Sequence, residues 1–85
     1  MENKNVLLDV VKVRTVSNHI LILEFESGEE RQFDMLPYLE KKPFIRLKGS
    51  PLFSKASIAH GTVVWPGNID IAPDTLYSRS SLLHP

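Results

Sequence analysis

Residues 65–77, Trp-Pro-Gly-Asn-Ile-Asp-Ile-Ala-Pro-Asp-Thr-Leu-Tyr, place the strongest constraint on what this chain can fold into. They hold the only tryptophan, a proline–glycine pair and a lone aspartate between two isoleucines. Pro66 presets φ and Gly67 accepts positive φ, as a type II turn requires. Pro73 suits the first helical position, Asp74 complements the helix dipole, and Ile71 with Leu76 has the spacing of a hydrophobic staple. The segment reads as a strand end at Trp65, a tight turn, the run Ile69-Asp70-Ile71, and a helix over residues 73 to about 79. It specifies a shape and names no reaction.

Upstream, the pattern is that of antiparallel strands. Residues 6–16 are rich in β-branched side chains, and Val11 and Val13 alternate with Lys12 and Arg14. Ser17-Asn18 makes a turn. In residues 19–26, Leu21, Leu23 and Phe25 share one face, while Ile20, Ile22, Glu24 and Glu26 share the other. The first half of this strand is apolar on both faces, which predicts a central place in the sheet. A hairpin at Ser27-Gly28 leads into residues 30–35, and loop length decides its register. A two-residue loop sets Phe33 opposite Ile22; a three-residue loop over 27–29 sets Phe33 opposite Leu23 and Arg31 opposite Phe25. The longer loop is preferred, because it gathers Leu21, Leu23, Phe25, Phe33 and Met35 on one face.

Asp34 ends this strand and can cap the single helical turn at residues 36–39. Lys41-Lys42-Pro43 is a break. Phe44, Leu47, Leu52 and Phe53 are apolar anchors in an irregular connection, with Ser50 before Pro51 placed as an N-cap. Residues 56–59 and 62–65 form a hairpin about His60-Gly61. Residues 78–85 read as a frayed tail. The sum is an α+β fold: one small curled antiparallel sheet of about five strands with short helical turns and a C-terminal helix. Eighty-five residues make a single domain over 1–85, with an ordered core at about 6–79.

Composition narrows function mainly by exclusion. There is no cysteine, hence no disulfide, thiolate metal site or cysteine nucleophile. No apolar run is long enough to span a bilayer, and the polar N-terminus does not resemble a secretory signal, so a cytoplasmic protein is the expectation. His19, His60 and His84 lack metal-ligand spacing. No Gly-x-Ser-x-Gly elbow or glycine-rich phosphate loop occurs. Glu29-Glu30 pairs two carboxylates, but on a hairpin tip where water surrounds both. The expectation is therefore no catalytic, cofactor or metal site.

Ten basic and ten acidic residues cancel, but they are segregated. Glu24, Glu26, Glu29, Glu30 and Asp34 crowd one stretch; Lys41, Lys42, Arg46, Lys48 and Lys55 crowd the next. Solvated faces are the default reading, and a dipolar surface that orients a partner is the sharper one. Trp65 is by default a core block and alternatively an exposed aromatic anchor. Asp70 and Asp34 are read as satisfying backbone donors of nearby turns.

The pattern Phe25-x-x-Gly28-Glu29-x-Arg31-x-Phe33-Asp34, then Phe44 with Leu47, then Leu52-Phe53, then Trp65-Pro66 through Ile69-Asp70-Ile71-x-Pro73-x-x-Leu76-Tyr77, resembles the prokaryotic domain of unknown function 2442 family over nearly the whole chain. The resemblance implies a small bacterial α+β domain, often encoded beside a second small protein in the manner of toxin–antitoxin pairs. Some relatives carry a fused helix-turn-helix domain, which is not found here. Ala72 departs from the Ser, Asp or Asn expected as a helix cap, at a cost of about 1 kcal/mol. The resemblance brings no catalytic residues.

Three functional expectations follow. The first is a non-enzymatic protein-interaction module, antitoxin-like partner of a small neighbouring protein, with Lys41, Lys42, Arg46, Lys48, Lys55 and Trp65 as candidate surface. A homodimer through an exposed sheet edge is a further partner expectation. The second is a regulatory nucleic-acid-associated domain working through the same basic stretch. The third is a small-ligand pocket near Trp65, Asp70 and Tyr77. Gly28, Phe33, Asp34, Trp65, Pro66, Asp70, Pro73, Leu76 and Tyr77 form the structural signature.

Overall fold

A computed structural model describes residues 9–83. Among the described residues seven strands form two antiparallel sheets. The first sheet has the order β1-β2-β3-β7, with β1 at Val10–Val16, β2 at Ile20–Phe25, β3 at Glu30–Asp34 and β7 at Ser81–Leu82. The second has the order β4-β5-β6, with β4 at Ser57–Ala59, β5 at Thr62–Trp65 and β6 at Ile69–Ile71. Two 3-10 turns, Phe44–Leu47 and Pro51–Lys55, lie in the connection between them, and one helix, α1, spans Pro73–Ser78. Among the described residues no helix is long and apolar enough to cross a membrane.

The expected single sheet is corrected to two. Five strands are where the sequence pattern places them. Ile69-Asp70-Ile71 adds β6 by pairing back on β5, Trp65 opposite Ile69 and Val63 opposite Ile71. The tail read as frayed adds β7, with Ser81 opposite Gln32 and Leu82 opposite Arg31. Neither segment is long enough to show alternation by itself; each is a strand because an unfinished edge lies beside it. The expected residues 6–8 of the first strand, and His84, lie outside the described residues.

Face assignment holds while register moves. Phe33 sits opposite Leu21, and Arg31 opposite Leu23. The hairpin loop is Glu26-Ser27-Gly28, since Phe25 N–H donates to the Glu29 carbonyl at 2.9 Å and Gly28 N–H to the Phe25 carbonyl at 2.8 Å. Gly28 takes φ 91°, the left-handed residue that closes a three-residue hairpin loop. The pairing therefore differs by two residues from the expected one, and a shift of two leaves every side chain on its face. A second change lies in β1. The register breaks between Val10 and Lys12, leaving Val11 exposed at a bulge, so Val10 and Val13 point inward instead of Val11 and Val13.

One hydrophobic cluster joins the inner faces of both sheets. Leu21, Leu23, Phe25, Phe33 and Met35 come from the first sheet, Val63, Trp65, Ile69 and Ile71 from the second. Leu47 and Phe53 enter from the two 3-10 turns, and Leu76 from α1. Ring contacts run through it. Phe33 stacks on Tyr38 (5.4 Å between centroids), Tyr38 meets Phe44 edge-on (6.2 Å), Phe44 meets Trp65 edge-on (6.3 Å), and Trp65 lies near-parallel to Phe53 (6.2 Å). Trp65 is 3% exposed, and its indole N–H donates to the Phe53 carbonyl at 3.0 Å.

The local signals behave as their chemistry requires. Asp34 Oδ1 accepts from Leu36 N–H at 2.9 Å, and Ser50 Oγ accepts from Leu52 N–H at 3.1 Å. His60 and Gly61 both take positive φ in the β4–β5 turn. Ala72 precedes α1 without a side-chain cap, while Ile71 and Leu76 are both buried, as a staple demands. Replacing Trp65 by Phe should remove the donor and leave the Phe53 carbonyl buried without a partner. The expected cost is about 1–3 kcal/mol, measured as urea unfolding followed by circular dichroism; an unchanged midpoint would mean the bond contributes nothing.

Candidate functional site

Two groups of polar side chains stand out. The first gathers around Arg31. In β3, Arg31 has the same parity as Phe33 and so projects toward the inner side of the sheet, where a guanidinium must be satisfied. Its Nε–H donates to Ser80 Oγ at 2.6 Å, its Nη2 to the Ser80 carbonyl at 3.0 Å, and its Nη1 to Glu29 Oε2 at 2.5 Å. The guanidinium carbon lies 4.5 Å from the centre of the Tyr77 ring. Tyr77 O–H donates to the other Glu29 oxygen at 2.9 Å, and Phe25 packs edge-on against the same ring. Ser80 Oγ also donates to the Tyr77 carbonyl at 2.8 Å.

This cluster is a clasp. Both oxygens of Glu29 accept bonds, and all three guanidinium nitrogens donate bonds, within the chain. It ties the end of α1 and the start of β7 to the β2–β3 hairpin. The expectation that Glu29 sits freely in water at a hairpin tip is corrected: its side chain is 27% exposed and that of Arg31 only 14%. The clasp itself was not foreseen. Its signal is in the sequence, since a charged residue at an inward-facing strand position demands partners. Glu29 is two residues away, but Ser80 stands 49 residues from Arg31 and Tyr77 stands 48 from Glu29, beyond the reach of any local pattern.

The second group is the basic connection. Lys41, Lys42, Arg46, Lys48 and Lys55 are all exposed, while Leu47 and Phe53 of the same stretch are buried. The segment is thus pinned from inside and presents its cations outward. Lys48 pairs with Glu40. Arg46 reaches back to the Gly67 carbonyl at 3.4 Å, and its guanidinium fills the space a Cβ on Gly67 would need. Among the described residues Lys41, Lys42 and Lys55 make no ion pair or side-chain hydrogen bond. Acidic side chains lie on the hairpin strands, so the segregation along the chain is also a segregation between elements.

The expected set of Trp65, Asp70 and Tyr77 comes together only in part: Trp65 and Asp70 border one groove, and Tyr77 lies elsewhere. Trp65 is core, which removes it from the candidate surface. Tyr77 belongs to the clasp. Asp70 is exposed in mid-β6 opposite Val64, and among the described residues its carboxylate takes no hydrogen bond. Its expected role in satisfying turn donors is therefore corrected; Asn68, at φ 63°, and Gly67, at φ 91°, make that turn with positive φ. Asp70 borders a shallow groove of about 410 Å³ with His60, Val64, Trp65, Pro66 and Asn68. His19 Nδ1 lies 3.2 Å from Asp34 Oδ1, so Asp34 serves both a turn and a neighbouring strand end.

A family model described as a protein of unknown function, DUF2442, matches residues 10–81. Comparison with curated proteins and with solved structures found no match. The matched span covers the core, the clasp and the basic connection.

The clasp makes two testable statements. Arg31→Ala should destabilise the fold by about 1–3 kcal/mol, because it strands a part-buried carboxylate and the Ser80 acceptors; an unfolding midpoint within error of wild type would contradict it. Tyr77 is raised from the ordinary phenol value of 10.0, first by its hydrogen bond to Glu29, then by burial and the Glu29 charge, against the opposing charge of Arg31. A raised folded-state value means this contribution is complete below about pH 10 and is lost as pH climbs through the folded value. Wild type should therefore lose stability above pH 10 more steeply than Tyr77→Phe in urea unfolding. Parallel profiles would contradict the assignment.

Proposed function

Since the chain belongs to the domain of unknown function 2442 family, whose description assigns no activity, we propose on its geometry that it is a non-enzymatic protein-interaction module. The observation that carries this reading is the basic connection: five exposed cations on a backbone whose apolar residues are locked in the core. Fixed charge of one sign accelerates and orients encounter with a partner of the opposite sign more than it adds raw affinity. The polar residues that sequence inspection offers for chemistry, Glu29, Arg31, Tyr77 and Asp34, are engaged in holding elements together. The partner we propose is an acidic surface on the small protein encoded beside this chain, in the antitoxin-like arrangement that the family resemblance implies.

A nucleic-acid-associated role is the second reading. It is favoured by Lys41, Lys42 and Lys55 standing without ion pairs among the described residues. A net charge of zero weighs against it. One variant separates the two readings. Lys42→Glu with Lys55→Glu should weaken co-purified binding to the neighbouring protein by about tenfold or more, equivalent to about 1.4 kcal/mol, without shifting the melting temperature. Undiminished binding would contradict the assignment of the surface. Steeply salt-dependent binding of duplex DNA or RNA, lost in the same variant, would replace the first reading by the second.

A further inference from the structure

The second sheet ends in an open edge. β6 pairs with β5 on one side, and among the described residues no strand pairs with it on the other. The direction of its backbone follows from the neighbouring turn. Ala59 and Thr62 close the two-residue turn at His60-Gly61, so they exchange hydrogen bonds. Successive residues of a strand turn their peptide groups to opposite sides. Thr62 and Val64 therefore face β4, while Val63 and Trp65 face β6. Val63 pairs with Ile71 and Trp65 with Ile69. Asp70, between them, aims its N–H and C=O away from β5. Thr62 Oγ1 donates to the Ile71 carbonyl, which agrees with that carbonyl lying on the β5 side. The chain stays extended through Ala72 (φ −65°, ψ 138°), whose N–H has no backbone acceptor among the described residues.

We propose that β6 accepts an extended segment of another protein as a further strand, with a lysine or arginine set beside Asp70. An unpaired edge is a template for such addition: main-chain bonds hold the incoming segment, and alternate side chains select it. The Asp70 carboxylate is exposed and has no ion pair or hydrogen bond among the described residues. No lysine or arginine borders the groove beside it. The residue paired with Asp70 shares its face, so a cation there lies against an uncompensated carboxylate. The residues on either side of that cation turn to the opposite face, next to Ile69 and Ile71, which are 1% and 6% exposed. Apolar side chains there prolong the buried face. The segment that fits thus reads apolar, basic, apolar, the complement of Ile69-Asp70-Ile71.

A second copy of the chain does not fit through the same strand. Pairing β6 with β6 about a two-fold axis centred on Asp70 sets Asp70 against Asp70, and like charges directly opposite are destabilising. The occupant is therefore a basic segment, opposite in sign to the partner of the basic connection. The site uses a different surface, so it stands or falls independently of that reading. A three-residue strand offers few main-chain bonds, so binding is weak and depends on the charge pair.

Nuclear magnetic resonance titration of the full chain tests it, with the peptide Thr-Thr-Val-Arg-Val-Thr-Thr and its counterpart Thr-Thr-Val-Glu-Val-Thr-Thr as probes. The arginine peptide, raised to about 1 mM, should shift the Asp70 and Ala72 amide signals and slow hydrogen exchange at the Asp70 N–H. The glutamate peptide should bind at least about threefold more weakly. Asp70→Lys should reverse the preference, with an unchanged melting temperature showing that the variant is folded. No shift at Asp70 with the arginine peptide, shifts confined to another surface, or equal binding of both peptides by wild type would overturn the proposal. So would a preference for arginine that survives in Asp70→Lys. Shifts that appear at Asp70 without peptide, as the chain is concentrated, would reassign the edge to self-pairing and overturn it as well.

Discussion

Burying one indole is the constraint around which this molecule is arranged. Neither sheet is large enough to own a core: one has three short strands and the other has four, two of them edge strands. A chain of this size buries a modest share of its surface, so its apolar residues must be pooled. Trp65 does the pooling. It stands on β5 with Val63, touches Phe53 and Phe44 from the connection, and through Tyr38 reaches Phe33 on β3. An indole N–H buried at that depth needs an acceptor, and the Phe53 carbonyl supplies it. The otherwise irregular connection is thereby fixed in place, and with it the positions of its cations.

Polar residues complete the arrangement at the margins. The Arg31 clasp converts the chain's last described segment from a tail into β7, covering an edge that β3 would otherwise leave open. Asp34 serves a turn, and Arg46 lies against the tryptophan turn in the space a Cβ on Gly67 would occupy. Glu29 and Arg31, two residues apart, and Tyr77, dozens of residues on, thus become one contact in space. These contacts hold a shape, which is why the proposed role rests on exposed surface and on no buried catalytic group.

Much of this was legible in the residues. Alternation identified β2 and its buried face; turn chemistry located His60-Gly61, Gly67 and the Ser50 cap; proline and the staple placed α1. What was not legible depends on distant partners. Register followed a loop of Glu26 to Gly28 that differs by two residues from the expected pairing, because the glycine closes the loop instead of centring it. Val11 looked inward until a bulge changed the phase of β1. β6 and β7 are too short to declare themselves, and the Arg31 clasp joins residues nearly fifty positions apart. Asp70 is the instructive failure at the site: flanked by two buried isoleucines, it reads as a buried acid, yet strand alternation sends it to solvent.

Shared burial implies shared fate. If the two sheets depend on one core, they must unfold together, since neither retains a buried face once Trp65 leaves. Thermal unfolding recorded in one sample by Trp65 fluorescence, which reports the second sheet and the connection, and by far-ultraviolet circular dichroism, dominated by the longer strands of the first sheet, tests this directly. Superimposable transitions are the expected result. A fluorescence change complete before the circular dichroism signal moves would show that the first sheet stands alone, and would contradict the claim of a common core.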